Sequence, residues 1–375
     1  MFFGLDLAGL QVYWWIVVSV LGGLLVFMFF VQGGQSLLPF IAKNELEKSM
    51  LINALGRKWE LGFTTLVLFG GVCFAAFPLF YSVSFGGAYW VWLVILFCFI
   101  IQAVSYEYRK KAGNMLGSRV YEVFLWINGV FGVFFIGVAL STFFSGAHFV
   151  LDERNFVAWS VASRGLEALL NGGNYLLGLA LVFLSQILGA SYFLNNIDDM
   201  QIAKRARKAI LIVSIAFVPC ILGFLVWICL KSGFYVGVDG RVELRDYVYL
   251  HNFLDMPYLI VGLFVGVGAV LAGIYMNVFR GSTRGIFPLA VGSVFVGMTV
   301  LLNVGLGQSA FYPSIAHLQS SLTIQNASSS YYTLSVMGYV SLLVPFVVAY
   351  IVYVWHKMDR VKITKSEIEG DSHTY

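Results

Sequence analysis

Apolar residues fill long blocks of this chain, separated by short polar stretches. A helix needs about 20 largely apolar residues to cross the hydrocarbon layer of a bilayer. The pattern predicts nine such runs, near 10–38, 61–83, 88–106, 121–145, 166–194, 209–231, 257–279, 286–306 and 332–355. The expected fold class is all-α: a polytopic membrane protein of about nine transmembrane helices. One membrane-embedded unit is expected over residues 1–356, followed by a tail over 357–375. The first run has no basic segment before it and no small-residue cleavage site, so it reads as a span and not as a removable leader. No internal repeat stands out, and an odd span count does not favour a simple inverted pair.

Basic residues sit mainly in alternate connections, which sets an expected orientation. Lys43–Lys58, Arg109–Arg119, Lys204–Lys208, Arg280–Arg284 and the tail together hold 18 of the 23 Lys and Arg residues. The other connections hold only Arg154, Arg164, Lys231, Arg241 and Arg245. The expected N-terminus is therefore outside and the C-terminus cytoplasmic. Three outer connections are long, 146–165, 232–256 and 307–331, and none is large enough for a soluble domain.

Composition strengthens this picture. Of 375 residues, 59% are hydrophobic and 11% charged, against about 25% charged in a soluble protein. Such a chain could not cover a water-facing surface, which excludes a soluble enzyme, a disordered regulator and a secreted disulfide scaffold. Cys73, Cys98, Cys220 and Cys229 lie in apolar runs without a CxxC pair, and read as free buried thiols.

A haem inside the bundle would need axial ligands at depth. The five histidines, His148, His251, His317, His356 and His373, all fall at span ends, in loops or in the tail. No cofactor is therefore expected on this chain alone. No Walker loop, GxSxG or HExxH pattern supports hydrolysis or ATP use. Nucleic-acid binding is unsupported, because the basic clusters fit topology and contact with anionic membrane lipid.

Ionisable groups near spans are the default functional candidates. Glu60 and Glu122 open the second and fourth runs, each three residues after an arginine, Arg57 and Arg119. A partly buried carboxylate there can serve as a proton entry route. The alternative is a first-turn carboxylate stabilised by the helix dipole and the preceding arginine. Glu107 reads as an interfacial ion pair beside an aromatic anchor. The 34 Phe, 20 Tyr and 9 Trp fit lipid-facing bulk and interfacial belts, with a prenyl or quinone groove as the rarer reading. Gly70-Gly71, Gly86-Gly87 and Gly172-Gly173 are expected where helices approach closely.

Several segments resemble subunit II of the cytochrome bd family of quinol oxidases. They include Leu38-Pro39-Phe40, Ile52-Asn53 and Gly56–Glu60, with Trp59 followed by an acidic residue. Phe74–Pro78, Tyr81, Phe85–Tyr89 and Val104–Arg109 look like its second hairpin and third span. Tyr312-Pro313, Asn326–Ser330, Thr333-Leu334, Lys357-Met358, Arg360 and Ile363–Lys365 match its outer loop and cytoplasmic end. The likeness runs from about residue 36 to the C-terminus, with the middle third matched mainly in span layout.

The resemblance implies a non-haem subunit of a terminal oxidase that oxidises quinol and reduces oxygen to water. Haems b and d and the quinol site are expected in a partner, subunit I, which this chain braces in the bacterial cytoplasmic (inner) membrane. A bound quinone and a small accessory subunit are compatible with it. Glu60 occupies the position of the family's acidic residue on a cytoplasmic proton route, and Glu122 resembles a second one. Trp59 and Gln32 are candidates for contact with subunit, lipid or quinone. The family's usual Asp-Gly-Phe-Asp stretch is replaced by Phe29–Gln35, which has no carboxylate. Gln32 can donate and accept hydrogen bonds but cannot carry a proton as a carboxylate does. The departure resembles a divergent, cyanide-insensitive-type branch. The alternative expectation, from another class, is a stand-alone proton- or ion-coupled transporter. That reading would place ionisable groups at mid-membrane, whereas here they gather at span ends.

Overall fold

The Asp6 carboxylate accepts from the Gly9 amide at 2.8 Å and so starts the first long helix, satisfying a donor that has no partner inside the helix. In the computed structural model, which describes residues 2–111 and 113–370, nine helices among the described residues are long and apolar enough to span a membrane. They are Leu7–Ser36, Glu45–Ala76, Tyr89–Tyr108, Ser118–Ser145, Gly172–Asn196, Met200–Leu230, Pro257–Val278, Ile286–Leu306 and Tyr331–Asp359. His373 lies outside the described residues.

The second span departs most from the predicted run. It begins earlier, because Met50, Leu51, Ile52 and Leu55 of Glu45–Gly56 are fully buried at the basic end. It stops at Phe77, ahead of Pro78, whose ring and missing N–H interrupt a continuing helix. Two π-helical turns, Ser82–Gly87 and Asn128–Gly132, break the regular ladder, a feature frequent at functional sites. The first span also breaks, at Phe29, into Leu7–Met28 and Phe30–Ser36.

Spans one and five form the centre. The most apolar stretch of each is 72% buried, against 11% for span nine. Burial is complete in the last segment of span one, where all seven residues of Phe30–Ser36 are buried, Gln32 and Gln35 among them. The two spans touch backbone to backbone. A Cβ on Gly33 would lie 1.8 Å from the Ser185 carbonyl oxygen, so only glycine permits this crossing. The predicted glycine pairs do not all play this part: Gly71 and Gly172 face open space.

The long connections are not plain loops. The first holds an antiparallel pair, β1 (Phe149–Leu151) and β2 (Val157–Trp159), with Val150 opposite Ala158. The second holds β3 (Ser232–Val236) and β4 (Val242–Asp246), with Phe234 opposite Leu244, then a short helix Val248–Asp255. The third threads between them. Gln319 bonds both the N–H and the C=O of Val242, at 3.1 and 3.0 Å, and the buried Tyr312 packs on Phe149.

At the basic end the described part of the tail packs on the bundle. Ile363 is buried and exchanges backbone bonds with Asn196 and Asp198. Ion pairs Arg57–Glu367 (2.5 Å), Lys365–Asp199 (2.8 Å) and Lys58–Asp359 (3.1 Å) hold the segment down. Burial pushes the Asp199 carboxyl up, but Lys365 and the amides of Ile202 and Gln201 outweigh it and hold it below its ordinary value.

Candidate functional site

The amide-bearing turn Gln32–Gln35 sits in the fully buried last segment of the first span, Phe30–Ser36. Its glycines fix where the side chains go. Gly33 and Gly34 lie against span five, where a Cβ on Gly189 would fall 2.3 Å from the Gly34 nitrogen. Gln32 and Gln35 are left to meet the third span. Gln35 Nε2 donates to the Tyr106 hydroxyl at 2.8 Å, and Gln32 Nε2 approaches Gln102 Oε1 at 3.5 Å.

Trp59 opens the segment Trp59–Ala76 of span two, after a break at Arg57-Lys58, and lies flat on Tyr106, with ring centroids 5.7 Å apart and planes at 11°. Gly62, one turn on, faces the Gln32 amide, which would be 3.9 Å from a Cβ there. The fourth span adds Asn128, fully buried in the π-helical turn. Gly129 beside it lets that turn approach so closely that a Cβ would come 2.4 Å from the Gln32 carbonyl oxygen. Spans one to four thus enclose one polar cluster toward the basic end of an apolar bundle.

Its hydrogen bonding is incomplete within the chain. Gln32 Oε1, Gln35 Oε1, Gln102 Nε2, Trp59 Nε1 and both amide atoms of Asn128 are buried without a protein partner. Each such group is costly in a low-dielectric interior, by about 1–3 kcal/mol. A set of this size therefore marks a functional feature better than a packing one. The amides offer donors and acceptors side by side, which suits them to order water or to relay a proton along hydrogen bonds, although none can hold the proton itself.

The two predicted carboxylates do not enter this cluster. Glu60 follows Trp59 directly, but the helix turns it outward. It is exposed and makes no ion pair among the described residues, and Arg57 pairs with Glu367 instead of Glu60. Glu122 is half-buried, with Oε2 3.0 Å from Lys48 Nζ and Oε1 2.8 Å from Arg109 Nη2. Its cations thus come from Lys48 and Arg109, and not from Arg119 three residues before it. The buried Arg109 also reaches Glu45 at 3.1 Å. Glu107 pairs with Lys111, which lies over the Tyr108 ring at 4.6 Å.

Sequence reasoning named Gln32 and Trp59 but passed over Gln35, Gln102, Tyr106 and Asn128. The available signal was their position. Gln32 and Gln35 are three apart inside one apolar run, the spacing of the two carboxylates in the family's Asp-Gly-Phe-Asp pattern. Gln102 and Tyr106 are four apart on one face of another.

His148 and His317 lie in loops, His251 in the short outer helix and His356 in the last turn of span nine. Among the described residues no group of three His, Cys, Asp or Glu side chains is arranged to hold a metal ion. The four cysteines are free.

Residues 10–358 match the family model of cytochrome bd terminal oxidase subunit II. Cytochrome bd-I ubiquinol oxidase subunit 2 of Escherichia coli K12 is 26% identical over 395 aligned positions, covering 99% of each chain. Cytochrome bd ubiquinol oxidase subunit 2 of Bacillus subtilis 168 is 27% identical, covering 91% of this chain and 94% of that one. A chain of the bd oxidase from Geobacillus thermodenitrificans superposes with a TM-score of 0.58 at 13% identity, covering 93% of this chain and 99% of that one, a likeness of fold. Nothing in these relationships favours a stand-alone transporter. The chain belongs to the cytochrome bd terminal oxidase subunit II family, and is a multi-pass membrane subunit of a quinol-oxidising oxidoreductase that works with a subunit I.

Proposed function

We propose that this subunit braces a haem-bearing subunit I in a bacterial inner membrane and supplies part of its proton path from the cytoplasm. Haems b and d would sit in the partner. The observation that carries the reading is the set of buried, incompletely bonded amides at the basic end, beside the stacked rings of Trp59 and Tyr106. The basic connections support a cytoplasmic placement of that end. Glu60 supports a role as collecting carboxylate at the mouth: it is exposed and free of any ion pair among the described residues. The amides in place of first-span carboxylates support transfer through ordered water between fixed hydrogen-bonding groups. For Glu122, the ion pairs with Lys48 and Arg109 support an anchoring share at the same end.

An apolar cavity of about 180 Å³ supports a place for a hydrocarbon chain, of lipid or of a quinone tail. Gly22, Leu181, Phe217, Val270 and Val300 are among its lining residues. The nearly unburied second half of span nine is compatible with a partner or a small accessory subunit.

The test is Glu60→Gln in the assembled oxidase. Oxygen reduction is expected to slow while haem content and subunit stoichiometry stay unchanged. Undiminished turnover in a fully assembled variant would remove Glu60 from the path.

A further inference from the structure

Away from the basic end, the outer connections enclose a second incompletely bonded group. Glu167 lies in the short 3-10 turn Leu166–Leu170 that leads into span five. Its Oε2 accepts from Ser163 Oγ at 2.8 Å and from the Gly165 amide at 2.7 Å, while its Oε1 is buried without a partner. Trp159, at the end of β2, has a buried indole N–H that is likewise unpaired. Both residues line one small cavity of about 20 Å³. Tyr312 closes another wall, and Ser84 and Thr142 line the same cavity. The π-helical turn Ser82–Gly87 fits around the indole: a Cβ on Gly87 would fall 2.2 Å from Trp159 Nε1.

The chemistry of the orphaned atoms narrows the occupant. An ionised carboxylate oxygen only accepts and an indole N–H only donates. A bare cation would be met by the positive end of the indole N–H, and an anion by the carboxylate. A ligand that satisfies both atoms must accept one hydrogen bond and donate another. The space admits about one water molecule, which needs roughly 10–15 Å³ and two to four polar partners. We propose that this cavity is a binding site for a single ordered water that accepts from Trp159 Nε1 and donates to Glu167 Oε1. Ser84, Thr142 and Tyr312, which line the same cavity, carry hydroxyl oxygens able to accept its second hydrogen. The water fastens the β1–β2 hairpin and the turn before span five to the outer ends of spans three and four, beside the contact of the Arg164 guanidinium with the Tyr89 ring at 5.2 Å. The site is independent of the proton path proposed at the other end.

The experiment is a structure of the complete oxidase at a resolution that shows ordered water, with a stability cycle on the same complex. A density peak within 3.5 Å of both Trp159 Nε1 and Glu167 Oε1 is expected. Trp159→Phe and Glu167→Leu should each lower the thermal midpoint, and the double variant should fall no further than the worse single one. Density empty between the two atoms, a protein group bonded to either of them, or additive losses in the double variant would overturn the assignment. Normal oxygen reduction by Glu60→Gln would leave it untouched.

Discussion

Lys58 is the one fully buried lysine among the described residues, and it decides how the tail is held. Its Nζ lies 3.1 Å from Asp359 Oδ1, 3.7 Å from Met358 Sδ and 4.8 Å from the centre of the Trp355 ring. Replacing Asp359 by Leu leaves a buried ammonium with no carboxylate. Breaking a buried pair in this way costs about 3–5 kcal/mol. The Trp355 face retains about 1–2 kcal/mol of cation–π attraction. Asp359 keeps 14% side-chain exposure, so water also reaches the pair. A loss of about 2–3 kcal/mol is therefore expected for Asp359→Leu, with a similar loss for Lys58→Met. The double variant puts apolar groups in both places and should lie within ~1 kcal/mol of the parent, since such replacement of a buried pair is often neutral. Thermal unfolding of the purified complex measures all four corners of the cycle, and limited proteolysis of the tail gives a second readout. Losses that simply add, with the double variant the least stable of the four, would refute the reasoning.

Glu122→Gln should leave the buried Arg109 facing only Glu45, whose side chain is 70% exposed. The expected loss is about 1–3 kcal/mol of stability, with oxygen reduction by the assembled complex falling less than in Glu60→Gln. Gly129→Ala would drive a methyl against the Gln32 carbonyl oxygen and should cost about 1–3 kcal/mol, read as a lower thermal midpoint together with slower turnover. Lys231 donates to the Phe144 and Ser232 carbonyls but makes no ion pair among the described residues, and burial pushes its ammonium down to about 8. The unfolded chain keeps this proton up to its ordinary value of 10.5, so between these two pH values it binds more protons than the folded one. Stability should therefore rise with pH across that window, by at most ~3 kcal/mol. Lys231→Met should flatten the rise when thermal midpoints are compared from pH 7 to pH 10.5.

Hydropathy located all nine spans because crossing a bilayer is a demand on a whole segment, and a block of Leu, Val and Phe meets it whatever its neighbours are. The family assignment was legible for a similar reason: Trp59-Glu60, Leu38-Pro39-Phe40 and Asn326–Ser330 are local strings. What escaped depends on which way a side chain turns. Trp59 and Glu60 are adjacent in sequence, yet one faces Tyr106 and the other faces outward. Arg119 stands one turn before Glu122, but the carboxylate is held by Lys48 and Arg109 from two other segments. The amide cluster assembles from three spans and could not be read from any one of them. The outer hairpins were nearer the surface of the sequence: Asp239-Gly240 between two strand-like runs is a turn signal, but one overshadowed by the apolar blocks on either side.

The last span carries a consequence for how the enzyme is put together. Its second half, Val344–Asp359, has no buried residue, although Trp355 packs on Phe27 and Phe30 and Asp359 is fastened to Lys58. Phe346, Val347 and Tyr350 stand exposed above that anchored foot. In a bilayer, lipid tails wet such a surface as readily as protein does, so the newly inserted chain has no solvent-driven urgency to hide it. Docking of a neighbouring helix there would be an exchange of mobile lipid for fixed side chains, and its strength would depend on shape and bilayer composition. Maturation of the oxidase would then be tuned by the fluidity of its surroundings as well as by the pairing of its chains.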